Sequence, residues 1–189
     1  MKGLERFTVS HTLETRRLPS GRIIQLPARI VRLPLNDPPK LPERVSYFNR
    51  TADLIPSSYT VKPLVRVDAR PAFGELAVRH CLELDGWDGV WVDTYHSRGS
   101  TRLFWRDLPD RSSPVDLSSF PCAWDAYDRI FKRNKGGGGF FDVLAWRDDR
   151  VIFLEYKSAG DRPNKNEARW IDAALAEGFD ERSLSFVLY

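Results

Sequence analysis

Phe140-Phe141-Asp142-Val143-Leu144-Ala145-Trp146 and Val151-Ile152-Phe153-Leu154-Glu155-Tyr156-Lys157, joined by Arg147-Asp148-Asp149-Arg150, decide how this chain is read. Both runs are rich in β-branched and aromatic residues, and the polar link between them is short enough for a hairpin. Asp142, Glu155 and Lys157 interrupt these apolar runs. A charge placed in a buried strand must be paired or metal-bound to offset its desolvation. Paired strands put Asp142 beside Glu155, and Lys157, two residues on, faces the same side as Glu155.

Working outward, helical spacing of Phe73, Leu76, Ala77, His80, Cys81 and Leu84 predicts an amphipathic helix after Pro71 that ends at Asp85-Gly86. Gly89 to Tyr95 reads as a strand, and residues 97–121 as a surface excursion with a short strand near Trp105. A second helix is predicted over Trp124 to Lys132. Its basic end, Lys132-Arg133-Asn134-Lys135, leads into Gly136-Gly137-Gly138-Gly139. That run lacks the Gly-Lys-Ser/Thr ending of a phosphate loop and leads into a strand, so it is read as a turn allowing close backbone approach. Asn164 to Leu175 reads as a third helix stopped by Gly178, and Ser183 to Tyr189 as a last strand. Upstream, Phe7-Thr8-Val9, Arg22 to Leu26 and Ala28 to Leu33 form β-rich stretches, and prolines punctuate an extended segment from Pro34 to Pro63. The expected division is a basic β-rich arm with a Pro-rich linker over residues 1–66 and an α/β core over residues 67–189.

The 189 residues, 42% hydrophobic, suffice for a real core. The chain contains no run of eighteen apolar residues and its first residues lack a signal-peptide core, which predicts a soluble, cytoplasmic protein with no membrane partner. Cys81 and Cys122 show neither CxxC spacing nor a histidine partner and are read as buried free thiols. The scattered His11, His80 and His96 show no ligand spacing, and His80 falls on the apolar face of its helix. Residues 1–66 carry 12 Lys/Arg against 5 Asp/Glu, and the remainder 17 against 21. Such a distribution suits a polyanion-binding arm on a body that concentrates carboxylates. In the arm, Arg29 and Arg32 are spaced among Ile30, Val31 and Leu33.

Phosphodiester hydrolysis requires an activated water, charge neutralisation on the phosphoryl oxygens and help for the leaving oxygen. A few carboxylate oxygens suffice to hold Mg²⁺ for that task, because the ion keeps several of its waters. Asp142 and Glu155 are the candidate ligands, and Lys157 the candidate to orient the water or stabilise the developing charge. Taken alone, Asp…Glu-x-Lys also describes a salt bridge at a hairpin end.

Three stretches in order are more specific: Asp142-Val143-Leu144-Ala145-Trp146, then Leu154-Glu155-Tyr156-Lys157-Ser158-Ala159-Gly160-Asp161-Arg162, then Asn166-Glu167-Ala168-Arg169-Trp170-Ile171. Together they resemble the PD-(D/E)xK nuclease superfamily, and within it the virus-type replication-repair nuclease (VRR-NUC) subgroup. The resemblance is close over residues 136–189 and extends upstream only in element order. It implies a restriction-endonuclease-like α/β core, a mixed central sheet flanked by helices. It also implies Mg²⁺ or Mn²⁺ bound by Asp142, Glu155 and Glu75 on the first helix, with Lys157 as catalytic lysine. Phe141 stands where the family commonly has proline. Glu167 stands where it commonly has glutamine facing the site, which adds a negative charge to the catalytic set.

The expected activity is therefore that of a metal-dependent endodeoxyribonuclease, with branched or flap DNA in replication, repair or phage biology as the substrate class the family implies. Arg162, Lys132, Arg133, Lys135, Arg29 and Arg32 are the expected phosphate contacts. DNA is the expected partner, RNA stays open, and a homodimer is compatible with cutting two strands. Two other classes stand beside the enzyme: a catalytically inactive nucleic-acid-binding module, and an accessory subunit of the same fold.

Overall fold

The computed structural model describes residues 3–33, 65–68, 70–93, 103–108, 112–158, 160–161 and 164–189. In chain order the strands and helices are β1 (Thr8–Arg17), β2 (Ile23–Val31), β3 (Val65–Val67), β4 (Arg70–Ala72), α1 (Gly74–Leu84), β5 (Asp88–Asp93), β6 (Leu103–Trp105), α2 (Pro121–Asn134), β7 (Val143–Arg147), β8 (Arg150–Lys157), α3 (Lys165–Ala176) and β9 (Leu184–Leu188). Seven strands form one mixed sheet in the order β1-β2-β9-β8-β7-β5-β6, and β3 pairs with β4 in a separate ribbon. β9 runs parallel to both β8 and β2, and every other neighbouring pair in the large sheet is antiparallel. The protein is thus an α/β fold with helices on both faces of a seven-stranded mixed sheet.

The period-two alternation of the strands builds two cores. Val143, Ala145 and Leu154 pack on one face with Phe73, just before α1, and Leu76, Ala77 and Cys81 within it. Leu144, Trp146 and Phe153 pack on the other with Ala126, Tyr127 and Ile130 of α2 and Trp170, Ile171 and Ala174 of α3. Trp170 is the hub of that second core: its ring stacks on Phe141 at 4.5 Å and meets Phe140 and Phe153 at 4.9 and 5.2 Å. Phe140 and Phe141 therefore spend their hydrophobicity on the core from outside the strand, since β7 begins only at Val143.

The helix ends follow from their sequences. α2 opens with Pro121 in its first turn and closes with Lys135 in the left-handed region, φ 55°. Lys135 N–H donates to Lys132 O and Gly136 N–H to Phe131 O, the paired bonds of a Schellman end. α3 ends the same way at Gly178, φ 90°, with Gly178 N–H on Leu175 O and Phe179 N–H on Ala174 O.

The N-terminal stretches are longer than their sequence reading. β1 covers ten residues, and β2 passes through Pro27, which pairs opposite Leu13. Because β2 joins β9 in parallel, its C-terminal end, Arg29 to Val31, arrives at the same sheet end as Glu155 to Lys157 of β8. The Pro-rich segment 34–64 lies outside the described residues, as do Arg162 and His96. No helix among the described residues is long and apolar enough to cross a membrane.

Candidate active site

The site forms where β7 and β8 part. Their ladder runs from Arg147 opposite Arg150 to Val143 opposite Leu154, and beyond it the side chains replace backbone pairing. Asp142 N–H donates to Glu155 Oε2 at 3.2 Å, and Tyr156 N–H donates to Asp142 Oδ2 at 3.0 Å. Each carboxylate thus accepts a backbone donor from the other strand, which holds both acids at the sheet end. Asp142 O in turn accepts from Val92 N–H of β5 at 2.8 Å.

Lys157 lies among acids. Its Nζ donates to Glu155 Oε1 at 2.8 Å and to Glu167 Oε1 at 2.5 Å. Glu155 is 7% exposed and Glu167 2%, so the ammonium neutralises two carboxylates shut away from water. Burial pushes the Glu155 carboxyl up to about 7, even though Lys157 pulls the other way. For Lys157 burial favours the neutral amine, but Glu155 and Glu167 outweigh it and hold the ammonium above the ordinary lysine range.

Glu167 owes its position to the start of α3. Asn164 is the N-cap: its Oδ1 accepts from the Asn166 and Glu167 N–H groups at 2.9 and 3.0 Å. Its Nδ2 donates to Glu167 Oε1 at 2.7 Å. Glu167 occupies the third helical position, where a capping-box glutamate stands. Glu167 Oε2 is buried and has no hydrogen-bond partner among the described residues.

The glycine run packs over this helix start. Gly139 has φ 76°, and a Cβ there would lie 2.2 Å from the Asn166 carbonyl carbon and 2.5 Å from Glu167 N. Asn134 fixes the run by donating from Nδ2 to Gly136 O and Gly138 O, at 2.8 and 2.9 Å, while its Oδ1 accepts from Arg169 Nε. The close backbone approach that the structure shows is to α3, a partner the sequence did not indicate. At the basic end of α2, Lys132, Arg133 and Lys135 are exposed, Lys132 paired with Asp128 at 2.6 Å and Arg133 with Glu177, at the far end of α3 from Glu167, at 3.6 Å.

Hydrogen bonds join Asp142, Glu155, Lys157 and Glu167 into one network. Glu75 is buried in the first turn of α1. It contributes to the raised pKa of the Tyr156 phenol, for which burial is the larger cause. Gly74 permits that approach, since a Cβ there would lie 2.3 Å from the Tyr156 ring. Asp161 accepts from Ser158 N–H and Oγ at 2.8 and 2.6 Å and closes the turn after Lys157. Arg32 is exposed just past β2, and Arg29 is half-buried beside Glu5 at 3.3 Å.

Sequence reasoning passed over Asn164 and Asp93. The spacing Asn164-x-x-Glu167 is a capping-box signal that identifies the first. Asp93, fully buried at the end of β5, carries no local signal; only the sheet order brings it to this end. Of the other singled-out groups, His80 is fully buried as its helix face predicts, Cys81 is buried, and Cys122 is partly exposed rather than buried. No group of three or more His, Cys, Asp or Glu side chains among the described residues has the geometry to hold a metal ion. Comparison of the chain with protein-family models, with curated proteins and with solved structures finds no match.

Proposed function

We propose that the protein is a divalent-metal-dependent nuclease that hydrolyses phosphodiester bonds in DNA, acting as an endonuclease on branched or flap structures. The observation that carries this reading is the Lys157 ammonium bonded to Glu155 and Glu167, with Asp142 locked to Glu155 at the parting of two strands. The order α1, β5, β7, β8, α3, β9, with adjacent strands in the sequence β5-β7-β8-β9, supports a restriction-endonuclease-like core.

Asp142 and Glu155 fit Mg²⁺ or Mn²⁺. A magnesium ion needs only one or two carboxylates and keeps its remaining waters, so two acids at one sheet end meet its demand without a third ligand group. The raised Glu155 pKa also marks a desolvated carboxylate whose ionised form gains from a nearby cation. Such an ion, when bound, supplies charge neutralisation at the phosphoryl oxygens and polarises water. Lys157 is placed to donate to the attacking water or to the scissile phosphate, and Glu167 to hold that ammonium. Glu75 is kept as an upstream acid of the same reading.

Phosphate contacts are assigned to basic groups: Lys132 and Arg133 in the last turn of α2, Lys135 just past it, and half-buried Arg29 and exposed Arg32 at the end of β2. Rim pairs such as Lys132 with Asp128 are worth at most about 1 kcal/mol, so their exchange for phosphate costs little. The test is incubation with single-stranded, duplex, flap and four-way-junction DNA in Mg²⁺, Mn²⁺ or chelator. Metal-dependent cleavage lost in Lys157→Ala with binding retained supports the enzyme. Cleavage surviving both Asp142→Ala and Glu155→Ala overturns the site.

One observation favours a second reading. Glu167 engages the same ammonium that would serve catalysis, which suits a nucleic-acid-binding module whose lysine is committed to structure. DNA binding without cleavage in any metal would select it.

A further inference from the structure

We propose that Asn164 is a positioning residue for Lys157, acting through Glu167; this rests on the nuclease reading for its catalytic consequence but not for its geometry. The three groups form a chain. Asn164 Nδ2 donates to Glu167 Oε1 at 2.7 Å, and Lys157 Nζ donates to that same oxygen at 2.5 Å and to Glu155 Oε1 at 2.8 Å.

The Asn164 amide cannot turn without loss. Its Oδ1 accepts the Asn166 and Glu167 N–H groups, so the amide plane is fixed by the helix start and Nδ2 must point away from those donors. It points to Glu167. A carboxylate on a rotatable side chain is thereby held by a donor anchored to the backbone, and the ammonium it binds is held in turn. The helix start itself is braced from above by Gly139, whose backbone contacts Asn166 and Glu167 too closely for any side chain. With the amide donor removed, Glu167 is free to rotate, and Oε2, which has no partner among the described residues, competes for Lys157. The ammonium then leaves its fixed place beside Glu155. Placement matters because misplacing a catalytic group by about 1 Å can lower the rate by about 100-fold.

Capping and positioning separate cleanly by substitution. Asn164→Ser and Asn164→Asp both keep an oxygen for the helix N–H groups and both lose the donor to Glu167. Asp adds a carboxylate facing a carboxylate. Asn164→Ala loses cap and donor together.

Two readouts test the inference. The first needs no activity: the ¹⁵N-lysine NMR signal of Lys157, assigned by its loss in Lys157→Arg, reports whether the ammonium is immobilised and slow to exchange. The second is steady-state cleavage of flap DNA in Mg²⁺, with substrate in excess. A slowly exchanging Lys157 signal is expected in the unsubstituted protein. In Asn164→Ser and Asn164→Asp that signal is expected to broaden or vanish while helix content is kept, and kcat to fall about tenfold with KM within about twofold. An unchanged Lys157 signal in both cap-preserving variants overturns the inference, as does the absence of a slowly exchanging signal in the unsubstituted protein. If the unsubstituted protein cuts no DNA, the nuclease reading fails, and the NMR arm alone still decides the role of Asn164.

Discussion

Replacing Lys157 by methionine removes a charge and keeps most of the volume, so the response isolates the ammonium. That ammonium faces Glu155 and Glu167, whose side chains are 9% and 3% exposed, and is itself 13% exposed. Breaking a buried ion pair by deleting one partner costs about 3–5 kcal/mol because the remaining charge is uncompensated. The Glu155 carboxylate, already pushed up to about 7, has an escape, which is to bind a proton. Each carboxyl that stays protonated in the folded variant but ionises in the unfolded chain costs about 1.4 kcal/mol for every pH unit above about 4.3. A carboxylic acid whose folded pKa is raised favours folding below its unfolded pKa, and that contribution is lost as pH climbs through the folded value. Glu155 already stands at about 7 with Lys157 in place, and without it moves higher. Lys157→Met is therefore expected to cost about 1 kcal/mol at pH 5 and about 3–5 kcal/mol at pH 8. Urea unfolding followed by circular dichroism at the two pH values, in chelator, measures it. A difference that stays below about 1 kcal/mol at both would refute the assignment of Lys157 as counter-ion to two buried acids.

Other outcomes follow from the same contacts. Mg²⁺ or Mn²⁺ is expected to raise the melting temperature more at pH 8 than at pH 6, since Glu155 must give up a proton first, and the shift should vanish in Asp142→Ala; a pH-independent shift counts against Glu155 as ligand. His80 is buried and held down to about 4, chiefly by desolvation and then by Arg70, so stability is expected to fall as pH drops from about 6.5 towards 4, by up to about 3 kcal/mol, with a shallower fall in His80→Leu. Gly139→Ala, with φ 76° and a Cβ 2.2 Å from Asn166, should destabilise by at least about 1–3 kcal/mol in thermal or urea melts. Trp170→Ala empties the centre of the second core and should cost about 3–5 kcal/mol by the same measurement.

The hairpin, its polar turn and the three helices were legible because each has a compositional, periodic or end signal: the β-branched and aromatic run of β8, apolar spacing in α1, Gly178 after α3. Helix α2 starts three residues before its sequence reading because Pro121 is a favoured first-turn residue rather than a breaker there. β1 was read only as far as Val9 since its remaining residues, mostly polar and exposed, give no burial pattern. What local sequence cannot supply is strand order. That β2 pairs with β9, and so brings Arg29 and Arg32 to the end of the sheet that holds Glu155, depends on a parallel contact between residues 158 positions apart, such as Ala28 and Phe186. Asp93 was missed for the same reason. Asp142, Glu155, Lys157 and Glu167 were legible as candidates, but their bonding partners were not: the exchange of backbone donors between Asp142 and Glu155 appears only once the register of β7 on β8 is known.

Glu167 shows how a helix cap and a cluster of buried charges constrain one another. An acid at the third position of a helix is favoured by the exposed N–H groups and by the positive end of the helix dipole. That preference explains why a carboxylate is tolerated at the start of α3 without reference to any reaction. The cost falls elsewhere: the carboxylate is 2% exposed, so it requires a cation, and among the described residues the lysine of the Glu-x-Lys strand supplies it. Glutamine at the same position keeps the acceptor for Asn164 and Lys157 and removes the charge. Glu167→Gln should therefore leave α3 intact, lower the Glu155 pKa because one repelling carboxylate is gone, and free Lys157 from one of its two anions. If Lys157 serves phosphodiester cleavage, the exchange raises the rate at neutral pH. Unchanged or lower activity, with the fold preserved, would instead make the Glu167 charge part of the working site.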